Sequence, residues 1–289
     1  METSELLKKV RHIEIKARGL SRNIFAGQYH SAFKGRGMAF SEVREYQYGD
    51  DMRDIDWNVT ARYNRPYVKI FEEERELTVM LLIDVSESLG FGSSEKIKRD
   101  MVAEIAATLA FSAIQNNDKI GVIFFSDKVE KFIPPKKGKK HILFIIREIL
   151  GFEPESTGTD INMALRYMTN AIKKRCTTFL ISDFIDTGDY KPSLRIANRK
   201  HDIVAIQVYD KLSTRLPSLG LMKVKDPETG GETWIDTSSK RVRNDYTKWW
   251  QDRQAEMLQV FKQSSVDNVS VSTEDDYAKA LLLLFQRRR

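Results

Sequence analysis

Four stretches of this chain are apolar at nearly every position: VMLLIDV (79–85), KIGVIFFS (119–126), TTFLISD (177–183) and DIVAIQVYD (202–210). A strand with one wet face alternates apolar and polar residues. A strand apolar throughout is buried on both faces, which requires a largely parallel sheet covered by helices on each side. The intervening segments carry helical periodicity. Lys96 to Gln115 places Ala103, Ala106, Ala107, Ala110 and Phe111 on one side. His141–Leu150, Asp160–Lys173 and Pro192–Lys200 read as further helices, the second with Asp160 as its N-cap. Apolar strands alternating with helices predict an α/β fold built from βαβ units, with Val129–Ile133 as an added edge strand.

The flanks are less regular. Residues 1–18 form an amphipathic helical pattern through Leu6, Leu7, Val10, Ile13 and Ile15. Gly19, Gly27, Gly35 and Gly37 then mark turns, and short strands are expected at 43–48 and 67–72. Towards the other end, 221–225 and 232–236 flank PETGG as a hairpin. Lys240–Lys262 is a long helix carrying Trp249 and Trp250, one of which is expected to pack on the sheet. A short strand at 269–273 and a helix at 274–285 follow, with Thr273 and Asp276 as a loose capping box. The change of character near Glu76 divides the chain into an N-terminal segment, 1–75, packed on or beside a main domain, 76–289. For 289 residues, two units match a prior of about 150 residues each.

Composition narrows the class. With 41% hydrophobic and 30% charged residues, the chain is neither a disordered polar tract nor a collagen-like repeat. One cysteine, Cys176, makes no internal disulfide and reads as a core residue in a reducing compartment. No apolar leader is evident and no run approaches 18 apolar residues, so a cytoplasmic location is expected, with room for peripheral membrane association. Lys and Arg number 47 against 41 Asp and Glu, and the excess gathers at the ends: residues 1–40 carry eight basic and three acidic side chains, and the chain closes on Arg287, Arg288 and Arg289. Such termini are ordinarily solvated and frayed; their functional reading is attraction to nucleic acid or an acidic surface. The four histidines lack metal-ligand spacing, and no phosphate-binding GxxxxGK[ST] loop is present.

The most informative motif is Asp84-Val85-Ser86-Glu87-Ser88, directly after the first sheet strand. Ligands of open α/β sheets bind at the carboxyl ends of strands. Asp183 closes another such strand, and TGTDIN (157–162) is a small-residue loop feeding a helix. Three loops from one sheet edge would converge with carboxylate and hydroxyl oxygens, a donor set suited to Mg²⁺ or Mn²⁺ and not to zinc. The plain alternative is that Asp84 and Asp183 only cap their own loops.

In this order, the three motifs resemble the metal-ion-dependent adhesion site of von Willebrand factor A domains. That resemblance covers about 76–270 and implies a Rossmann-type, mostly parallel sheet flanked by helices, with an N-terminal strand and loop extension. It implies the metal ligands Asp84, Ser86, Ser88, Thr159 and Asp183, acting directly or through water, with a partner carboxylate completing the shell. Thr157 stands where that family often has glycine, so the choice between Thr157 and Thr159 stays open, Thr159 being preferred. Upstream, GRGMAFSEVREYQYGDDMRDIDWNVTARYNRPYVKIFEEER resembles the signature of the bacterial family called domain of unknown function 58. Members are often encoded beside MoxR-type AAA+ ATPases. The resemblance implies a non-catalytic, Mg²⁺-dependent interaction module, an adaptor or assembly factor for such an ATPase or its client.

Within that signature, opposite charges at high density are expected to pair and tie the segment to the main domain. Arg53 and Arg62 would grip carboxylates in bidentate fashion, and Tyr46 and Trp57 would supply a buried face. A docking surface is the functional alternative. Two other functions compete with the interaction module. One is a metal-dependent phosphoester hydrolase, with Glu87 or Asp160 positioning water. The other is nucleic-acid binding through the basic termini.

Overall fold

The computed structural model describes residues 3–21, 39–72, 77–86, 98–156, 158–186, 188–225 and 231–288. The chain falls into two compact units that differ from a single boundary at 75/76: one draws on Met1–Phe33 with Leu77–Arg289, the other on Lys34–Glu76.

The larger unit is built on a six-stranded sheet. Its strands are β3 (Thr78–Asp84), β4 (Lys119–Phe125), β5 (Val129–Lys136), β6 (Thr177–Ser182), β7 (Asp202–Tyr209) and β10 (Asp267–Ser272), in the order β10-β7-β6-β3-β4-β5. All neighbours are parallel except β5, which returns antiparallel along β4. The sheet is therefore mixed and mostly parallel, as expected. Its central strand shows why the apolar runs had to be continuous. Val79, Leu81 and Ile83 enter one core, Met80 and Leu82 the other, and all five are buried.

Helices cover both faces. On the first lie α1 (Thr3–Leu20), α3 (Lys98–Gln115), α4 (Lys139–Gly151) and α8 (Tyr277–Arg287). On the second lie α5 (Ile161–Ala171), α6 (Lys191–Lys200) and α7 (Lys240–Gln263). The α3 helix is the most enclosed. Its alanines let it lie between the sheet, α1 and α4, and every residue from Met101 to Ala113 is buried. α1 therefore belongs to the main unit rather than to a separate N-terminal segment. Val10, Ile13 and Ala17 join the core, and Lys9 and Lys16 pair with Asp100 and Glu104 of α3. The β8 (Leu221–Lys225) and β9 (Glu232–Asp236) hairpin has the expected bounds; its turn lies outside the described residues.

Several local expectations meet the structure directly. Asp160 caps α5, accepting from Met163 N at 2.8 Å. Trp250 is buried near Tyr209, while Trp249 is exposed. Cys176 is buried beside His201, its Sγ 3.2 Å from Nδ1, and burial pushes its thiol up to about 11. The C-terminal arginines are not simply frayed: Arg288 reaches Asp202 and Asp267 at 2.6 Å and is itself largely buried.

In the smaller unit, β1 (Ala39–Glu45) pairs antiparallel with β2 (Tyr67–Glu72), and between them lies the short helix α2 (Trp57–Tyr63), capped by Asp56. The charge pairs described in this unit are internal to it. Arg44 forms a bidentate pair with Asp50 at 2.7 and 2.8 Å, and Arg53, as expected, reaches both oxygens of the exposed Asp51; no carboxylate contact of Arg62 is found among the described residues. Trp57 is 70% exposed and Val68 is buried, reversing the expectation of a buried Trp57 face.

The β4–β5 edge contains an informative close approach. Pro134 and Pro135 lie within β5, where an edge strand tolerates missing N–H donors. Opposite them, a Cβ added to Gly121 would stand 2.9 Å from Ile133 O, Pro135 N and Met80 Sδ, and two of these atoms are backbone. Gly121→Ala is expected to destabilise the protein by about 1–3 kcal/mol in urea unfolding. Gly19→Ala in α1, whose methyl would meet nothing within 4 Å, should leave stability equal or slightly higher. Equal midpoints for the two variants would refute the close-packing argument.

Candidate functional site

The chain leaves β3 towards β4 on one side and later returns to place β6 on the other. Such a reversal opens a crevice at the carboxyl ends of the strands. β3 ends on Asp84, and Asp183 follows the last residue of β6. Both carboxylates are withdrawn from water, as is Ser86.

Each carboxylate divides its oxygens between two tasks. Asp84 Oδ1 accepts from Ser86 N at 2.9 Å, and Asp183 Oδ1 accepts from Ile185 N at 3.2 Å. To that extent the loop-capping alternative describes them. The second oxygens do something else. Ser182 Oγ donates to Asp84 Oδ2 at 2.6 Å while accepting from Phe184 N, tying the ends of β3 and β6 together. Lys98 Nζ, from the first turn of α3, meets Asp183 Oδ2 at 3.1 Å, with both side chains buried. Gln207 of β7 donates to the Asp183 carbonyl at 3.3 Å.

The third loop is pinned to the same edge. Val85 N donates to Phe125 O, and Asp160 N to Ser126 O, which aligns the loop before α5 with the ends of β3 and β4. Ile161 N donates to Asp186 Oδ2 at 2.9 Å, fastening it to the loop after β6. Thr159 lies in this loop. Its Oγ1 is buried and has no hydrogen-bond partner among the described residues. An orphaned buried hydroxyl costs about 1–3 kcal/mol unless something satisfies it. Ser88, Glu87 and Thr157 lie outside the described residues, so the structure brings Asp84, Ser86 and Asp183 together, places Thr159 in the adjoining loop, and describes no position for Ser88.

The electrostatics follow from burial. Desolvation raises the Asp84 carboxyl above its ordinary range, and the charge of Asp183 raises it further; the hydrogen bonds from Ser182 and Ser86 act in the opposite sense. Asp183 thus faces a buried ammonium, whereas the described contacts of Asp84 are hydrogen bonds from neutral groups. Among the described residues no three His, Cys, Asp or Glu side chains gather to hold a metal, so a cation here would depend on two carboxylates and on hydroxyls.

Sequence reasoning missed Ser182, Lys98 and Asp186. Ser182 stood in plain view before Asp183, and its small polar side chain at the end of an apolar strand was the available signal. Lys98 carried none, since a lysine opening a helix ordinarily faces water.

A family model described as "Protein of unknown function DUF58" matches residues 42–256. The chain belongs to this family. An uncharacterised protein of Mycobacterium bovis is 26% identical over 293 residues, covering the whole of this chain and 92% of its own length. YeaD of Bacillus subtilis is 26% identical over 131 residues, 45% of this chain and 29% of its own. Among solved structures, an aerotolerance-related membrane protein from Bacteroides fragilis superposes with a TM-score of 0.51 at 13% identity, covering 73% of this chain and 99% of that one. The DUF58 chain thus has the α/β, von Willebrand factor A-like fold that its motifs implied. No helix among its described residues is long and apolar enough to cross a membrane.

The raised Asp84 carboxyl has a defined consequence for the DUF58 protein without metal. The folded state holds this proton more tightly than the unfolded state, so stability falls as pH rises from the ordinary carboxylate range towards the raised value. In EDTA, Asp84→Asn should melt a few degrees above wild type at pH 8, and the gap should close near pH 4. A constant gap across that range would show that Asp84 carries no such penalty.

Proposed function

We propose that this DUF58 protein is a non-catalytic, Mg²⁺- or Mn²⁺-dependent protein-interaction module, an adaptor or assembly factor for a MoxR-type AAA+ ATPase or its client. The observation that carries this reading is the buried Asp84–Asp183 pair, together with the orphaned Thr159 hydroxyl in the loop pinned to the same strand ends. The donors are all oxygen, and a hard divalent cation with several waters suits them. Asp84, Ser86, Thr159 and Asp183 would hold it, with Ser88 as the remaining expected ligand, and an acidic side chain of the partner would complete the shell. The ATPase partner follows from the family resemblance.

The competing readings have less support. The Asp160 carboxylate, a candidate for positioning water in a hydrolase, is engaged as the cap of α5. Of the basic termini, Lys9, Lys16 and Arg288 are spent on ion pairs with Asp100, Glu104, Asp202 and Asp267. A nucleic-acid surface would need these charges outward.

The test is a pull-down of a MoxR-type ATPase from the same organism by immobilised wild-type protein and by Asp84→Ala, each with Mg²⁺ and with EDTA. Recovery by wild type in Mg²⁺ alone, with at least a tenfold loss in Asp84→Ala at unchanged circular dichroism, is the expected outcome (roughly the 1.4 kcal/mol equivalent). Equal recovery in all four arms would refute metal-dependent docking.

A further inference from the structure

Among the described residues of the site, Lys98 is a feature that a metal-holding role does not call for. Its ammonium is buried at the end of β6, where lysine is almost never found unless paired. Asp183 Oδ1 accepts from Ile185 N at 3.2 Å, and Oδ2, an oxygen a cation or its water shell would use, is the atom that Lys98 holds. Asp84 has no such counter-charge in the described contacts: its oxygens meet the Ser86 N–H and the hydroxyls of Ser182 and Ser86. We propose that Lys98 is a tethered cation that competes with the divalent metal for Asp183, holding the loop after β6 in order when metal is absent and weakening metal binding when it is present.

The inference rests on the metal reading above and deepens it. A divalent ion at Asp183 Oδ2 and an ammonium on the same oxygen repel each other in a water-poor setting, so binding requires the lysine side chain to leave. Its long stem permits that without moving α3, because the helix is fixed by Met101, Val102, Ile105 and the buried residues beyond them. The site then has two charge-balanced arrangements, one closed by the protein's own ammonium and one by an external ion. Lys98→Met keeps the stem and removes the charge; Lys98→Arg keeps the charge.

Isothermal titration with MgCl₂ on wild type and both variants tests this. Lys98→Met should bind Mg²⁺ tighter than wild type by roughly tenfold or more, within the usual range of coupling between two ligands of one site. Lys98→Arg should stay near wild type, and Lys98→Met should melt lower in EDTA. A second measurement needs no variant: Lys98 of the wild-type protein should become acetylated faster by a water-soluble amine reagent when Mg²⁺ is added, read by mass spectrometry. Equal Mg²⁺ affinity in all three proteins with unchanged Lys98 reactivity would overturn the competition and leave the metal reading standing. No Mg²⁺ binding by any of them would overturn both.

Discussion

Two carboxylates that end adjacent buried strands are withdrawn from water, and much of the surrounding structure answers that one constraint. A buried ionised carboxylate without compensation is too costly to persist. The chain compensates in three ways. Backbone N–H groups of the following residues cap one oxygen of each. Ser182 spans the two strand ends, donating a hydrogen bond to Asp84 and accepting one from Phe184 N. Lys98 brings a full positive charge to Asp183. The Asp84 side of the pair remains the less well compensated, and its carboxyl is accordingly raised.

That arrangement needs α3 to be placed accurately, because Lys98 sits in its first turn. The placement comes from packing rather than from polar contacts. Ala103, Ala106, Ala107, Ala110 and Ala113 are all buried, and their small side chains allow close approach on several sides of the helix at once. α1 then lies across the outer side and closes the layer with Val10, Ile13 and Ala17. The Lys9–Asp100 and Lys16–Glu104 pairs fix its register, and Lys16 also lies over the Tyr277 ring at 5.0 Å. Partly exposed pairs of this kind contribute little energy each, so their role is orientation more than stability.

The legibility of the sequence divides along the same physical lines. Features governed by local pattern were readable: β3, β4, β6 and β7 from their continuous apolar runs, α5 from its Asp160 cap, and the β8–β9 pairing from the PETGG run between the two segments in the sequence. The aspartates were readable because an apolar strand makes its terminal carboxylate conspicuous. What depended on tertiary contact was not. Nothing in residues 1–20 states that the helix docks on α3 rather than staying with the segment that follows. Nothing at Lys98 announces that its ammonium turns inward. Arg288 belonged to an apparently frayed run, yet two acidic residues from distant strands, Asp202 and Asp267, hold it. Trp57 looked like a core aromatic by type alone, but it occupies the first turn of a helix too short to bury a stripe.

The two units also solve stability by different means, and pH separates them. Residues 34–76 number close to the size below which a hydrophobic core alone rarely suffices. There, Asp51 and Asp56 cap local turns, and the exposed charge pairs orient the chain more than they stabilise it. Arg44 holds the Asp50 carboxyl below its usual range, Arg53 does the same for Asp51, and the Val59 N–H, ahead of Asn58 N–H and Lys69, lowers Asp56. A depressed carboxyl stabilises the fold above its unfolded value and loses that contribution as pH falls through its folded one. Asp84 works in the opposite direction, since the fold gains when it is protonated. Acid therefore loosens the small unit through the same chemistry that relieves the centre of the large one. The exposed carboxylates of the smaller unit favour their charged form by a small, solvent-screened margin, whereas the site at the sheet edge carries a charge that the fold alone compensates only in part, which is the physical condition for a binding cation to matter there.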